Sequence, residues 1–372
     1  MKNSSFKNIL FVQDSSPCIR TIKLATALKS NGLNIHLAHR NRTPDEVYGY
    51  GNASFASITC LPKYRFKDVQ VIKRVIADNE INIVHFHNQP DELGAKLIRA
   101  NLGIPVIYDQ HDFLSFKHHL SKKERKYERI CNEEADGTVY ANPDSYRNET
   151  AKYYALIENS LCFANYPSGT SALEKEDELP KCSSLDGKTH LVYIGRISER
   201  KDDHRNIIEI VRELADEDYI VHIYPSKNRT YPKYNRIDHV IVHEKLPYHQ
   251  LITEISQYDF GLTIFNNSLA NDKIPHVKYA FGNKTFDYLL AGLPVLTQTC
   301  LQEVAKIVLE NGFGFTVENF NDYRSISKDR YNALVENIRQ KRGYFAMENQ
   351  IHRLIDFYGA TMERYSRHAQ KA

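Results

Sequence analysis

Residues 191–201 read Leu-Val-Tyr-Ile-Gly-Arg-Ile-Ser-Glu-Arg-Lys. A strand-forming apolar run ends at Gly195, and the polar loop beyond it carries Arg196, Ser198 and Lys201. A helical period comes next, with Ile207, Ile210, Val211 and Leu214 on one face of Asn206–Ala215. Strand, cationic loop and helix together make one unit of a parallel sheet covered by helices. The loop then lies at the strand's carboxyl end, where open α/β sheets bind ligands. A guanidinium and an ammonium at that edge suit a diphosphate, because both charges can meet its oxygens. The same pair also fits a solvated loop.

The alternation extends in both directions. Downstream, strands are predicted over Tyr219–Tyr224, His239–His243, Phe260–Phe265 and Pro294–Thr297, with helices between them and a long helix over Met347–His368. Upstream, strands over Phe6–Val12, Asn34–His39, Ile81–His87, Ile104–Asp109 and Gly137–Ala141 alternate with helices over Ile19–Lys29, Glu92–Ala100 and Ser121–Ala135. Asn165–Lys188, with its Pro, Gly, Ser and acidic clusters, reads as a linker. The predicted fold class is α/β, with two Rossmann-like domains in series facing a cleft and a C-terminal helix packing back on the first. Their expected bounds are 1–167, a linker at 168–188, 189–345, and the helix at 346–372.

A chain of 372 residues suits two domains of ordinary size. Apolar residues are 42% and charged residues 26%, which excludes a disordered chain. Lys plus Arg is 49 against 46 for Asp plus Glu, too even a balance for a dedicated nucleic-acid binder. Apolar runs such as Leu289–Leu296 fall short of the roughly 20 residues of a membrane span. Ser4, Ser5 and Lys7 interrupt any signal-peptide pattern. The six cysteines form no CxxC pair, so a reduced, cytoplasmic chain is expected. The first strand is followed by Gln13-Asp14-Ser15-Ser16-Pro17, which has no glycine and so excludes a dinucleotide fingerprint. Gly187-Lys188-Thr189 lacks the upstream glycine of a phosphate loop and precedes a strand. No G-x-S-x-G elbow is present. His85 and His87 alternate on one strand face and, with His111 or Asp112, offer metal-ligand chemistry. The expectation is polar residues at a cleft mouth and no metal.

A second segment, Gly282-Asn-Lys-Thr-Phe-Asp-Tyr-Leu-Leu-Ala-Gly-Leu-Pro-Val295, places Asn283 as a helix N-cap and Lys284 in the first turn. A cation there opposes the helix dipole, which points to an anion nearby. Asp287 falls one turn on, where a carboxylate can accept the hydroxyls of a ribose; a solvent-facing Asp on a capped helix is the alternative.

These two segments resemble the nucleotide-sugar half of a GT-B glycosyltransferase, nearest to the retaining family 4. Gly195, Arg196, Ser198 and Lys201 match that family's G-R-x-S-x-x-K opening, and Asn283 through Val295 match its N-K-x-F-[ED]-Y-x-x-A-G-x-P-V block. His243 to Leu251 followed by Tyr258-Asp-Phe-Gly-Leu resembles its loop, helix and buried strand. Ile83-Val-His-Phe-His87 and Tyr108-Asp-Gln-His-Asp112 resemble two first-domain strand ends, and Asn165-Tyr-Pro167 the turn that closes that domain. The resemblance implies that Arg196 and Lys201 hold the donor diphosphate and that Asp287 binds the ribose. It further implies that His111 meets the donor sugar, that Leu246 gives backbone contacts to the base, and that Asn283 and Lys284 border the phosphates. Ser198 belongs to the matched opening, and Ser16 stands where the family has its first glycine loop. Three departures bear on donor-sugar identity and phosphate geometry: Tyr279 where the family often has Glu, Ser15-Ser16-Pro17 in the glycine loop, and Tyr224-Pro225 after a strand of the second half.

The function this resemblance implies is transfer with retention from a nucleotide-sugar donor, UDP-sugar first and GDP-sugar next, without a metal or other cofactor. The expected acceptor is a glycan or lipid-linked molecule in bacterial surface polysaccharide synthesis. The alternatives are a non-catalytic GT-B homologue acting as a binding or partner subunit, a GT-B-fold epimerase, and a sugar phosphorylase. Lys117–Arg129, with six Lys or Arg and two Glu, is either a solvated helix or a peripheral contact with anionic lipid at the inner face of the membrane.

Overall fold

The computed structural model describes residues 6–117, 119–169, 172–266, 275–279, 282–318 and 323–369. The chain divides into two compact units, one of residues Met1–Asn165 with Met347–Ala372 and the other of Tyr166–Ala346.

The first unit holds seven parallel strands: β1 (Asn8–Gln13), β2 (Asn34–His39), β3 (Ser57–Cys60), β4 (Ile83–His87), β5 (Val106–Gln110), β6 (Gly137–Tyr140) and β7 (Ser160–Cys162), in the order 3-2-1-4-5-6-7. The second holds six: β8 (Thr189–Gly195), β9 (Tyr219–Pro225), β10 (Val240–Val242), β11 (Phe260–Thr263), β12 (Val295–Thr297) and β13 (Gly314–Thr316), in the order 10-9-8-11-12-13. Both sheets are doubly wound and reverse direction beside their first strand, between β1 and β4 and between β8 and β11. Strand order leaves a crevice at such a reversal, just beyond the carboxyl ends. Near-continuous apolar runs such as Ile9–Val12 and Leu191–Ile194 are buried because helices cover both faces of a parallel sheet.

The helix Met347–Ala369 belongs to the first unit and packs against the helix Ile19–Ser30. Ile351, Leu354 and Tyr358 are fully buried on its inner face, and the Tyr358 hydroxyl lies 2.7 Å from His85 Nδ1. The stretch with linker composition is instead tied to the second unit. Arg339 pairs with Glu178 at 2.7 Å, and Lys181 Nζ donates to the carbonyls of Ser256 and Tyr258 at 2.9 and 2.6 Å. No helix among the described residues is long and apolar enough to cross a membrane.

Two glycines carry the architecture of the second unit near its crevice. Gly195 ends β8 at φ +117°, in the left-handed region that a side chain rarely adopts, and so turns the chain into the Arg196 loop. A Cβ on Gly261 would lie 2.2 Å from the Tyr288 ring. The bare backbone lets that ring press onto β11, where its hydroxyl donates to Leu262 O at 2.9 Å and accepts from Ile194 N at 3.0 Å. Tyr288 thereby fixes the helix Asn283–Leu290 against both strands of the reversal.

Candidate functional site

In the second unit the helix Asn283–Leu290 begins at Gly282, which is extended (φ −76°, ψ 147°) and acts as N-cap. Asn283 is therefore the first helical residue and not the cap: the preceding glycine takes the non-helical backbone that the cap position needs. Lys284 is half-buried, and its ammonium sits 3.9 Å from the Tyr193 ring centroid and 4.7 Å from that of Phe265. Burial, with the Arg205 charge beside it, brings this ammonium down to about 7. Ring faces favour a cation, yet among the described residues the charge that bears on it is a second cation, Arg205.

Asp287 lies one turn on and is buried, not solvent-facing (8% exposed). Its Oδ1 accepts from the Tyr248 hydroxyl at 2.7 Å. Tyr248 opens the helix Tyr248–Ile255 just beyond half-buried Leu246, so this bond holds the loop after β10 beside the carboxylate. Arg196 and Lys201 are both exposed, and among the described residues neither side chain forms an ion pair. Lys201 lines a cavity of about 610 Å³ with Glu199, Asn206, Lys233, Arg236 and Asn266. Ser198 is buried, bonded through its backbone N to Arg205 O at 3.0 Å and through its carbonyl to the Tyr234 hydroxyl at 3.0 Å. Its Oγ accepts from Arg200 N at 3.3 Å, so Ser198 shapes the cationic loop from within.

The first unit contains a second cluster, built on the ends of β4 and β5. His85 and His87 share one strand face, their rings stacked 4.6 Å apart, but both are fully buried and not at a cleft mouth. They face Asp109, not Asp112. Asp109 Oδ2 accepts from Arg20 Nε at 2.9 Å, lies 3.1 Å from His85 Nε2, and is 3.4 and 3.6 Å from His87 Nδ1 and His111 Nε2. Burial opposes the Asp109 charge, but Arg20 and His111 override it and hold the carboxyl well below its usual range. Burial likewise opposes a charge on His111, yet Asp109 and Cys18 raise it to about 10. Burial, with the His85 and His111 charges, outweighs the pull of Asp109 and lowers His87 to about 3. The cluster therefore carries its proton on His111, whose Nε2 lies 3.1 Å from His87 Nδ1. His85, His87 and Asp109 could place ligand atoms around one ion. Arg20 already neutralises that carboxylate, and its guanidinium would face any such ion.

Ser16 is half-buried, its Oγ accepting from Arg42 N at 3.3 Å. Tyr279 ends the short helix Pro275–Tyr279, with Lys278 Nζ 5.2 Å from its ring. Tyr224 stacks on His243 at 4.3 Å and bonds Glu254 and Tyr258 through its hydroxyl, each at 2.7 Å, so the aromatic residue at the β9 end is a packing element. On the basic helix Lys122–Glu133, Ser121 and Glu124 form a capping box and the lysines are exposed; the Lys117 side chain and residue 118 lie outside the described residues. Four participants escaped the sequence reading: Arg20, Asp109, Cys18 and Tyr248. A buried arginine in the first turn of an apolar helix was the one available signal for the first.

Two doubly wound units of this strand order define the GT-B glycosyltransferase fold. Residues 8–139 match the family model described as Glycosyl transferase 4-like, and residues 202–349 match that described as Glucosyltransferase 3-like, C-terminal domain. The chain is similar in structure to a glycosyltransferase from Rickettsia africae (TM-score 0.72, 14% identity, 96% of this chain and 99% of that one). It is similar also to HepE of Anabaena in complex with UDP-glucose (TM-score 0.67, 14% identity, 94% and 99%). A third similar structure is sucrose-phosphate synthase from Thermosynechococcus elongatus (TM-score 0.63, 13% identity, 98% and 99%). No curated protein matches the chain in sequence.

Proposed function

We propose that the chain is a retaining, metal-independent glycosyltransferase that takes a sugar from a nucleoside diphosphate donor, UDP-sugar before GDP-sugar. The observation that carries this reading is Lys284: a half-buried ammonium at the sheet reversal, set over two ring faces, on which the Arg205 charge also bears. A donor diphosphate supplies that anion. Asp287, steadied by Tyr248, would take the ribose hydroxyls, and the loop at Leu246 would meet the base through its backbone. The UDP-glucose complex of the Anabaena structure supports the choice of UDP.

In the reaction the bond from the anomeric carbon to the diphosphate oxygen breaks as the acceptor oxygen bonds to that carbon on the same face. The departing phosphate oxygen takes the acceptor's proton. Negative charge grows on the diphosphate, and the exposed cations Arg196 and Lys201 would answer it, with Asn283 and Lys284 bordering the site. His111, held as an imidazolium by Asp109, would meet the donor sugar. The acceptor would be a glycan or a lipid-linked glycan of a bacterial surface polysaccharide, met at the inner face of the membrane through exposed Lys122, Lys123 and Lys126. The exposed aromatics Tyr64 and Phe66, set among Lys63, Arg65 and Lys67, favour the same peripheral contact.

The test is a thermal-shift and calorimetric screen of UDP, GDP, CMP and dTDP and their sugars, run beside an Arg196→Ala/Lys201→Ala double variant. Tight binding of one class, weakened in the variant, together with donor-dependent sugar transfer, is the expected result. Absence of binding by every nucleotide removes the proposal, and binding without turnover over a broad acceptor panel transfers it to a donor-binding partner subunit.

A further inference from the structure

Cys18 stands at the N-cap of the twelve-residue helix Ile19–Ser30 and is partly exposed. Its Sγ lies 3.8 Å from His111 Nδ1 and 3.3 Å from Thr21 Oγ1. His111 is itself oriented by Asp109 and His87 through its other nitrogen. Gln13 Oε1 completes the frame, accepting from Cys18 N at 3.2 Å and from the Thr21 hydroxyl at 2.8 Å. A sulfur within reach of an imidazole, with a carboxylate behind that imidazole, is the arrangement that activates a nucleophile. The N-terminal end of the helix dipole adds to it, because it favours a thiolate.

We propose that Cys18 is a covalent modification site, a thiolate paired with His111 that reacts with soft electrophiles and with peroxides. With an alkyl halide such as iodoacetamide the Sγ–carbon bond forms and iodide leaves with its electron pair. With hydrogen peroxide the Sγ–oxygen bond forms and the oxygen–oxygen bond breaks. Sulfur is oxidised to the sulfenic acid and peroxide is reduced, and the departing hydroxide takes the Nδ1 proton of His111 and leaves as water. Either product removes the thiolate from His111 and leaves Asp109 as its anionic partner.

The acid–base setting agrees with the geometry. Burial alone would raise the thiol, but the His111 charge and the hydrogen bonds from His111 and Thr21 bring it to about 6. Besides His111, the titratable group that bears on it from a neighbouring element is Tyr48 of the helix Pro44–Tyr48. Absolute rate is a poor readout. At pH 7 such a thiol is ionised about 30-fold more than an ordinary one near 8.5, but the lower basicity costs it roughly 10–20-fold in nucleophilicity. The position of the pH profile separates the two.

The experiment follows iodoacetamide labelling of the intact chain by peptide mass spectrometry across pH 5 to 9. The Cys18 rate is expected to fall to half near pH 6 and to be flat above about pH 7.5, where an ordinary thiol near 8.5 still gains about fivefold by pH 8.5. His111→Gln moves the midpoint upward. A Cys18 rate still climbing steeply between pH 7 and 8.5 overturns the proposal, whether or not the His111 variant folds. A midpoint unmoved in a folded His111→Gln variant overturns the pairing. Hydrogen peroxide followed by a 1,3-dione trap should mark the same peptide, and no adduct overturns the peroxide half.

Discussion

Lys284 gives the donor-site proposal a thermodynamic signature that does not depend on knowing the acceptor. In the free chain burial and Arg205 set its ammonium to about 7. A diphosphate placed against it would restore the range of an ordinary lysine, near 10.4. Between those values binding must carry a proton in from solvent. Near pH 8 the uptake is about 0.9 proton per donor bound, near pH 7 about 0.5, and near pH 6 about 0.1. The sign comes from the lowered value: the free chain has lost its proton by pH 8 and the complex has not. Affinity should accordingly weaken by up to about tenfold per pH unit above 7. Calorimetric titration with UDP-glucose in phosphate and in Tris, whose ionisation enthalpies differ, reads the proton count directly. UDP-glucose is chosen over UDP because its diphosphate does not titrate in this range. Lys284→Met should abolish the uptake and flatten the pH dependence. Uptake equal at pH 6 and 8, or unchanged in Lys284→Met, would refute the assignment of the diphosphate to this ammonium.

Other contacts give outcomes of their own. Tyr248→Phe removes one hydroxyl and should weaken UDP-glucose binding by about 0.5–1.5 kcal/mol in a calorimetric Kd, leaving the melting temperature nearly unchanged. Gly261→Ala pushes a methyl group into the Tyr288 ring and should cost about 1–3 kcal/mol in urea denaturation; an unchanged midpoint would mean the ring does not pack as described. Arg20→Met leaves Asp109 buried without its guanidinium, and a loss of about 3–5 kcal/mol is expected in the same assay. Burial and the neighbours His243 and His190 lower His222 to about 3. Its contribution is intact above the unfolded value near 6.5 and is lost as pH falls, at up to about 1.4 kcal/mol per pH unit, a slope that His222→Gln should reduce in acid titrations.

The sheets were legible in sequence where strands are buried and continuous. Asn34–His39 emerged with its true bounds, and the cationic loop after Ile194 emerged in its place. Ser57–Cys60 and Ser160–Cys162 were missed because they are short, half-exposed edge strands, held by pairing to β2 and β6 more than by any pattern of their own. At the candidate site, residue types announced themselves but environments did not. Asp287 read equally well as solvated or as a ligand, and nothing local foretold that it is buried against Tyr248, 39 residues away. Lys284 read as a first-turn cation; that it rests against Tyr193 depends on a strand 91 positions upstream. His85 and His87 looked like rim residues because nothing local foretells Tyr358 arriving from the last helix to cover them.

That last helix has a consequence for the order in which the molecule can be made. The first unit is discontinuous in sequence: its sheet is synthesised early, but residues 347–369 come only after the entire second unit. Until they appear, the surface of the Ile19–Ser30 helix that will meet the last helix is bare, and buried His85 lacks its tyrosine. A nascent chain stalled anywhere in the second unit therefore displays an unfinished apolar face on a domain whose strands are all present, the kind of species that chaperones retain. Folding of the amino-terminal half is thereby made conditional on completion of the carboxyl-terminal half. A released fragment ending near residue 346 should expose sticky surface, without a working first unit.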